Sequence, residues 1–210
     1  MLILENNKIQ ENKERFLNLL KEVTRPGMDK LIEWIETKSD FFIAPASTMF
    51  HGNYEGALVE HSLNVYKLFK EKNDRYDFGL SEDSIKIMGL LHDICKANFY
   101  KPSTRNKKDQ DTGKWFSIPW FDIDDSFPIG HGEKSVIMLR CYIPLSTEEM
   151  LGIRWHMGGF EPESNYKALN AAWDKYKSGA CLHSADLEAS NILEIKVDYE
   201  KLNKQTKMNI

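Results

Sequence analysis

The chain carries six histidines, His51, His61, His92, His131, His156 and His183, and their neighbours give them meaning. His92 is followed by Asp93 inside the apolar run IKIMGLLHDICK, and Asp186 sits between Ala185 and Leu187 in a second apolar stretch. A carboxylate in such surroundings is costly unless it is paired or holds a cation. His61 lies at the polar edge of an apolar helical face. A metal ion would relieve these burials together, because imidazole nitrogen and carboxylate oxygen form a donor set that Mn, Fe, Co, Ni or Zn accept. On one helix, His92 and Asp93 point about 100° apart and can reach a common ion from neighbouring edges. Lys96, four residues after His92, falls on the same helical face. Beside a metal, a lysine holds a phosphate oxygen rather than the ion.

Each of these residues alone has a plainer explanation. His183 can pair with Asp186 or a backbone carbonyl, His51 can be a loop residue, and Lys96 can extend to solvent at a helix end. Asp124-Asp125 reads as a turn or helix cap. The plainer explanations fail when they must cover His61, His92, Asp93, His131, His156 and Asp186 together.

The elements that must position these residues are mostly helical. Residues 11–22 read as a helix with Phe16, Leu17, Leu19 and Leu20 inward. Pro26 suits the first position of a second helix that continues through Met28, Leu31, Ile32 and Ile35. Residues 38–56 are irregular, and a helix follows from about Ala57 to Lys72. Ser81 caps the next helix, which is apolar nearly all round and is expected to run through the middle of the domain as far as Lys96. Residues 99–130 differ in kind. An Asp-Thr-Gly turn between Tyr100–Arg105 and Trp115–Ile118 predicts a two-stranded insertion near the site, of the kind that can serve as a lid. Helical signals return at His131–Tyr142, Ser146 with Glu149 makes a capping box for a helix through His156, and two helices follow at 164–177 and 180–193. Roughly the last 15 residues read as a polar tail with a short apolar stretch at Leu193, Ile195 and Val197. The expected fold is all-α, a helical bundle with a small β-hairpin-like insertion around residues 99–130. One domain is expected over 1–210, with N-terminal helices at 11–37 and a core at about 45–192.

The bulk numbers agree with one core of ordinary composition. The chain has 210 residues, a net charge of −4 and a hydrophobic fraction of 41%. That balance excludes a strong overall attraction to nucleic acid, although a local basic patch remains compatible with it. The cysteines, Cys95, Cys141 and Cys181, show no CxxC spacing, which fits reduced thiols and a cytoplasmic location. No apolar stretch is long enough for a bilayer span, and the first residues lack a secretory pattern.

The ordered set resembles the HD-domain superfamily of metal-dependent phosphohydrolases. His51-Gly-Asn-Tyr-Glu-Gly-Ala-Leu-Val-Glu-His61 is similar to the H-x-x-x-x-G-x-L-x-x-H segment that opens such domains. Leu90-Leu91-His92-Asp93-Ile94-Cys95-Lys96 is similar to LLHDIGK, with Cys95 in place of the usual glycine. His131-Gly-Glu-Lys-Ser135, Ile153-Arg-Trp-His156 and His183-Ser-Ala-Asp186 match the later histidines and the closing aspartate. The stretch from Thr112 through Asp124-Asp125, Pro128 and His131 to Phe160 looks like a subgroup common in phages and prophages.

The resemblance implies that His61, His92, Asp93 and Asp186 hold one metal, and that Asp93 bridges to a second held by His131 and His156. It implies one or two divalent ions (Mn, Fe, Co, Ni, Mg or Zn), with the full histidine set favouring two. Lys96 would contact phosphate, and His51 and His183 would sit near the site, either behind the metal-holding residues or in contact with substrate. The expected reaction is hydrolysis of a phosphomonoester or phosphodiester by a metal-activated hydroxide, with Asp93 and Lys96 as catalytic residues. The expected substrate is a small nucleotide or short oligonucleotide. Arg154 can meet a phosphate or a surface acid. Trp115, Phe116, Trp120 and Phe121 can stack a base or pack the insertion onto the core. A different class also stays open: a catalytically silent binding or regulatory module with a structural metal.

Overall fold

The structure is a computed structural model that describes residues 6–109 and 112–199. Its elements in chain order are α1 (Asn6–Lys21), α2 (Met28–Thr37), α3 (Ala57–Tyr76), α4 (Glu82–Leu91), β1 (Tyr100–Lys108), β2 (Trp115–Ile123), α5 (His131–Arg140), α6 (Thr147–Arg154), α7 (Tyr166–Lys175) and α8 (Lys177–Glu188). The architecture is all-α apart from one antiparallel hairpin, in which Tyr100 pairs with Ile123 and Lys108 with Trp115. Among the described residues, no helix is long and apolar enough to cross a membrane.

α4 runs through the centre, and every residue from Ile85 to Leu91 is buried. Ser81 caps it by accepting from the Ser84 amide. α3 lies along α4, and Phe16 and Leu20 of α1 with Leu31 and Ile35 of α2 close the core at the N-terminal end. Two glycines set the helix spacings that matter for the site. A Cβ on Gly89 of α4 would stand 2.7 Å from the Tyr66 Cα of α3. A Cβ on Gly132 of α5 would overlap the backbone carbonyl of Arg154 at the end of α6. Both helix pairs therefore approach closely only because these positions lack a side chain.

Glu149 ties three distant pieces together. The Ser146–Glu149 capping box forms as its spacing predicts. The same buried carboxylate accepts from Arg25 Nη1 at 2.7 Å and Nη2 at 2.9 Å, and from Ser84 Oγ at 2.7 Å. It thereby joins the turn after α1, the start of α4 and the start of α6.

Several boundaries differ from the sequence expectation. α2 starts at Met28, preceded by Gly27 at φ 86°, so Pro26 belongs to the turn before it. The hairpin strands are longer, reaching Lys108 and Ile123. α4 stops at Leu91. His92 keeps helical angles, but Asp93 turns out to φ −105°, ψ 19°, and Ile94–Lys96 form a single 3₁₀ turn. Lys96 therefore does not share a helical face with His92. Residues 194–199 are not a loose tail: the Gly52 amide donates to the Ile195 carbonyl at 2.9 Å, and the Asn53 side chain pairs with both backbone groups of Val197. Residues 200–210, the rest of the expected tail, lie outside the described residues.

Candidate metal centre

α3 supplies His61, the end of α4 supplies His92 and Asp93, α5 opens on His131, the turn after α6 carries His156, and α8 supplies Asp186. The glycine contacts sort these into two halves. Gly89 brings α3 and α4 together behind His61 and His92, and Gly132 brings α5 and α6 together behind His131 and His156.

The outward nitrogens of three rings are committed. His61 Nδ1 lies 3.0 Å from Glu194 Oε1, His92 Nδ1 lies 3.1 Å from the Gly89 carbonyl, and His156 Nδ1 lies 2.6 Å from the Ile153 carbonyl. These oxygens only accept, so each Nδ1 donates and each Nε2 is left to offer its lone pair inward. His61 Nε2 is 3.3 Å from His92 Nε2, 3.3 Å from Asp186 Oδ1 and 3.4 Å from Asp93 Oδ2. Asp93 divides its two oxygens. Oδ2 faces His61 and the Lys96 ammonium, the latter at 2.6 Å, while Oδ1 faces His131 Nε2 at 2.7 Å and His156 Nε2 at 3.4 Å. His156 Nε2 is buried and has no hydrogen-bond partner among the described residues.

This arrangement gathers more acceptors than donors at its centre. Burial opposes the charge on Asp93, yet Lys96, His92 and His131 hold its carboxyl well below the usual carboxylate range. Burial pushes His92 down to about 3 despite Asp93. Burial also opposes charge on His61, but Glu194, Asp186 and Asp93 raise it well above its ordinary value. Against burial, Cys95 and Asp93 raise His131 to about 10. One proton on His61 can serve only some of these acceptors, whereas a divalent cation serves several at once. Ligands bonded at about 2.1 Å to a shared ion stand roughly 3 Å apart, close to the separations around His61. Donor chemistry, spacing and the orphaned His156 nitrogen all fit a divalent metal. Groups close enough to hold one are His61–His92–Asp186, His92–Asp93–His156, Asp93–Cys95–His131 and His51–His61–Glu194.

The centre opens into a cleft of about 340 Å³ whose wall includes Asp93, His131, Asp186, Lys96, His51 and Tyr100. Phe50 and Phe160, also in its lining, are 72% and 71% exposed and so stand at its rim. His51 Nε2 lies 3.3 Å from Ser190 Oγ and 3.7 Å from Glu194, and burial, with His61 beside it, pushes it down to about 4.

Other expected site residues stand back from the cleft lining. His183 Nδ1 donates to the His156 backbone carbonyl at 2.7 Å, and its ring packs on Trp173, so it steadies the turn from behind and does not line the cleft. Arg154 lies over Trp155 and is held by Glu133 and Glu161, the last at 2.8 Å, so its charge goes to acids and not into the cleft. The four hairpin aromatics, Trp115, Phe116, Trp120 and Phe121, do not line the cleft either. Its aromatics are instead Phe50, Tyr100 and Phe160. Glu194, which stands outside the expected set, orients His61, and its side chain is only 2% exposed. The available signal is an acid flanked by Leu193 and Ile195, the same kind of evidence that marks Asp186.

A family model for the HD domain matches residues 58–178, more than half of the chain, and the chain belongs to that family. A curated relative, the dihydroneopterin 2′,3′-cyclic phosphate phosphodiesterase of Methanocaldococcus jannaschii, is 32% identical over 104 residues. The match covers 47% of this chain and 39% of the relative, so it spans well under half of that protein's length. No solved structure matches the chain.

Proposed function

We propose that the protein is a metal-dependent phosphohydrolase that cleaves a phosphomonoester or phosphodiester of a nucleotide or short oligonucleotide. The observation that carries this reading is the inward convergence of the His61, His92 and His156 Nε2 atoms on the two oxygens of Asp93, with the His156 nitrogen buried and making no hydrogen bond among the described residues. Membership of the HD family supports it, and so does the phosphodiesterase named among its relatives. We read residues 1–210 as one domain with the hairpin as an insertion.

In this reading His61, His92, Asp93 and Asp186 would hold one ion, and Asp93 with His131 and His156 would hold a second. Divalent ions bound there would supply Lewis acidity for activating water and for balancing charge on phosphoryl oxygens. Glu194, Gly89 and Ile153 fix the three rings by accepting from Nδ1, so the inward nitrogens need no reorganisation. Lys96 stands in the cleft wall with its ammonium on Asp93 and can turn that charge to a phosphoryl oxygen. His51, held low by burial, is a neutral hydrogen-bonding group for the substrate at neutral pH. The open cleft beside Asp93 and Asp186 favours catalysis over a purely structural metal, which needs no access from solvent.

The test is turnover of nucleoside mono- and triphosphates, a 2′,3′-cyclic nucleotide and an oligonucleotide with added Mn²⁺. The wild type hydrolyses at least one of these, and Asp93→Ala abolishes hydrolysis while keeping the helical circular dichroism. Full turnover by Asp93→Ala would refute the assignment, and inactivity of fully metal-loaded wild type would favour the silent module.

A further inference from the structure

The hairpin carries positive charge that the metal centre does not use. β1 holds Lys101, Arg105, Lys107 and Lys108 and no acid. Side chains alternate along a strand, so Arg105 and Lys107 share a face. The register places Ile118 opposite Arg105 and Trp120 opposite Ser103 on that face. Ile118 is the buried residue of β2, so this face turns toward the molecule. It forms one wall of a groove of about 620 Å³ whose other walls include Asn53 and the segment from Lys196 to Tyr199. The Arg105 guanidinium lies over the Trp120 ring, 3.8 Å from its centroid. Lys196 is exposed beside them, and Asp198 is the acid of the lining.

The groove adjoins the cleft. Ala46, Ser47 and Phe50 line the cleft, while Thr48 and Met49 of the same loop line the groove. β1 likewise begins in the cleft wall at Tyr100 and reaches the groove at Arg105, about 17 Å further along an extended strand. An aromatic platform with a stacked guanidinium, flanked by cations, is the chemistry that holds successive nucleotides of a single strand.

We propose that this groove binds the nucleotides flanking the phosphodiester that enters the cleft, so that the substrate is a short single-stranded oligonucleotide rather than a mononucleotide. The proposal rests on the phosphohydrolase reading for the cleft but is tested by binding. The probe is a fluorescein-labelled phosphorothioate octathymidylate, titrated by anisotropy in Mn²⁺ at several salt concentrations. The double variant Arg105→Ala, Lys196→Ala is expected to bind about tenfold more weakly at low salt and to lower the salt slope by about one to two. Both residues are exposed, so its melting temperature should match the wild type. Its hydrolysis of bis(4-nitrophenyl) phosphate, too small to reach the groove, should also be unchanged. Equal affinity and slope in wild type and variant, or no binding by the wild type at low salt, would overturn the proposal. Failure of the phosphohydrolase reading shows separately, as absence of turnover of the small diester by the metal-loaded wild type.

Discussion

Glu194 shows how much of this centre depends on a residue that stands behind one of its imidazoles. Its carboxylate accepts a hydrogen bond from His61 Nδ1 and leaves Nε2 facing Asp93 and Asp186. Outer partners of this kind are worth about 10- to 100-fold in metal affinity. Glu194→Ala is therefore expected to weaken Mn²⁺ binding by about that factor, and Glu194→Gln, which keeps an acceptor for the ring, by less. Calorimetric titration measures both, and wild-type affinity in the alanine variant would show that His61 needs no such partner. At this scale most of the cluster is legible in the sequence. His61, His92, Asp93, His131, His156 and Asp186 stand out as polar groups in apolar surroundings and by their resemblance to the family. Glu194 is hidden because the stretch around it reads as a tail, and its burial depends on Asn53 gripping Val197 far away in sequence. Arg154 stays ambiguous in the sequence because its partners, Glu133 and Glu161, are visible only in three dimensions.

At the scale of elements, helix spacing and helix ends make the geometry. The sequence marks the capping residues Ser81 and Ser146 well, because capping is local chemistry. It extends α4 too far, because the apolar run through Ile94 conceals a turn whose purpose is tertiary: Asp93 leaves the helix to face His131. The Arg25–Glu149 pair, invisible to local patterns, ties the turn after α1 to α6, and the Ser84 bond to the same carboxylate joins the elements that carry His92 and His156. Burial opposes the Glu149 charge, but bonds from Arg25, the Ser146 amide and Ser84 outweigh it and hold the carboxyl below its ordinary value. Its contribution to stability is thus fully present above the unfolded value, about 4.3, and is lost as pH falls through the lower folded value. Glu149→Gln is expected to cost about 3–5 kcal/mol near neutral pH, read from urea unfolding. The gap between wild type and variant should narrow as the pH is lowered below about 4, and a gap independent of pH would contradict the ionic account.

At the scale of the whole molecule, the helical bundle brings separated stretches of chain to one point, and the hairpin extends from the cleft beside it. The all-α class with one hairpin is legible from periodicity and turn chemistry. The hairpin's position beside a basic groove is not, because pairing register and packing decide which face turns inward. The central claim is that the convergent imidazoles and carboxylates hold divalent metal. Its most direct test is elemental analysis of the purified protein after incubation with Mn²⁺ and gel filtration, beside Asp93→Ala. The account predicts at least about one equivalent of metal per wild-type chain and a marked loss in the variant. A wild-type chain that retains no metal, or a variant that retains as much, would contradict it.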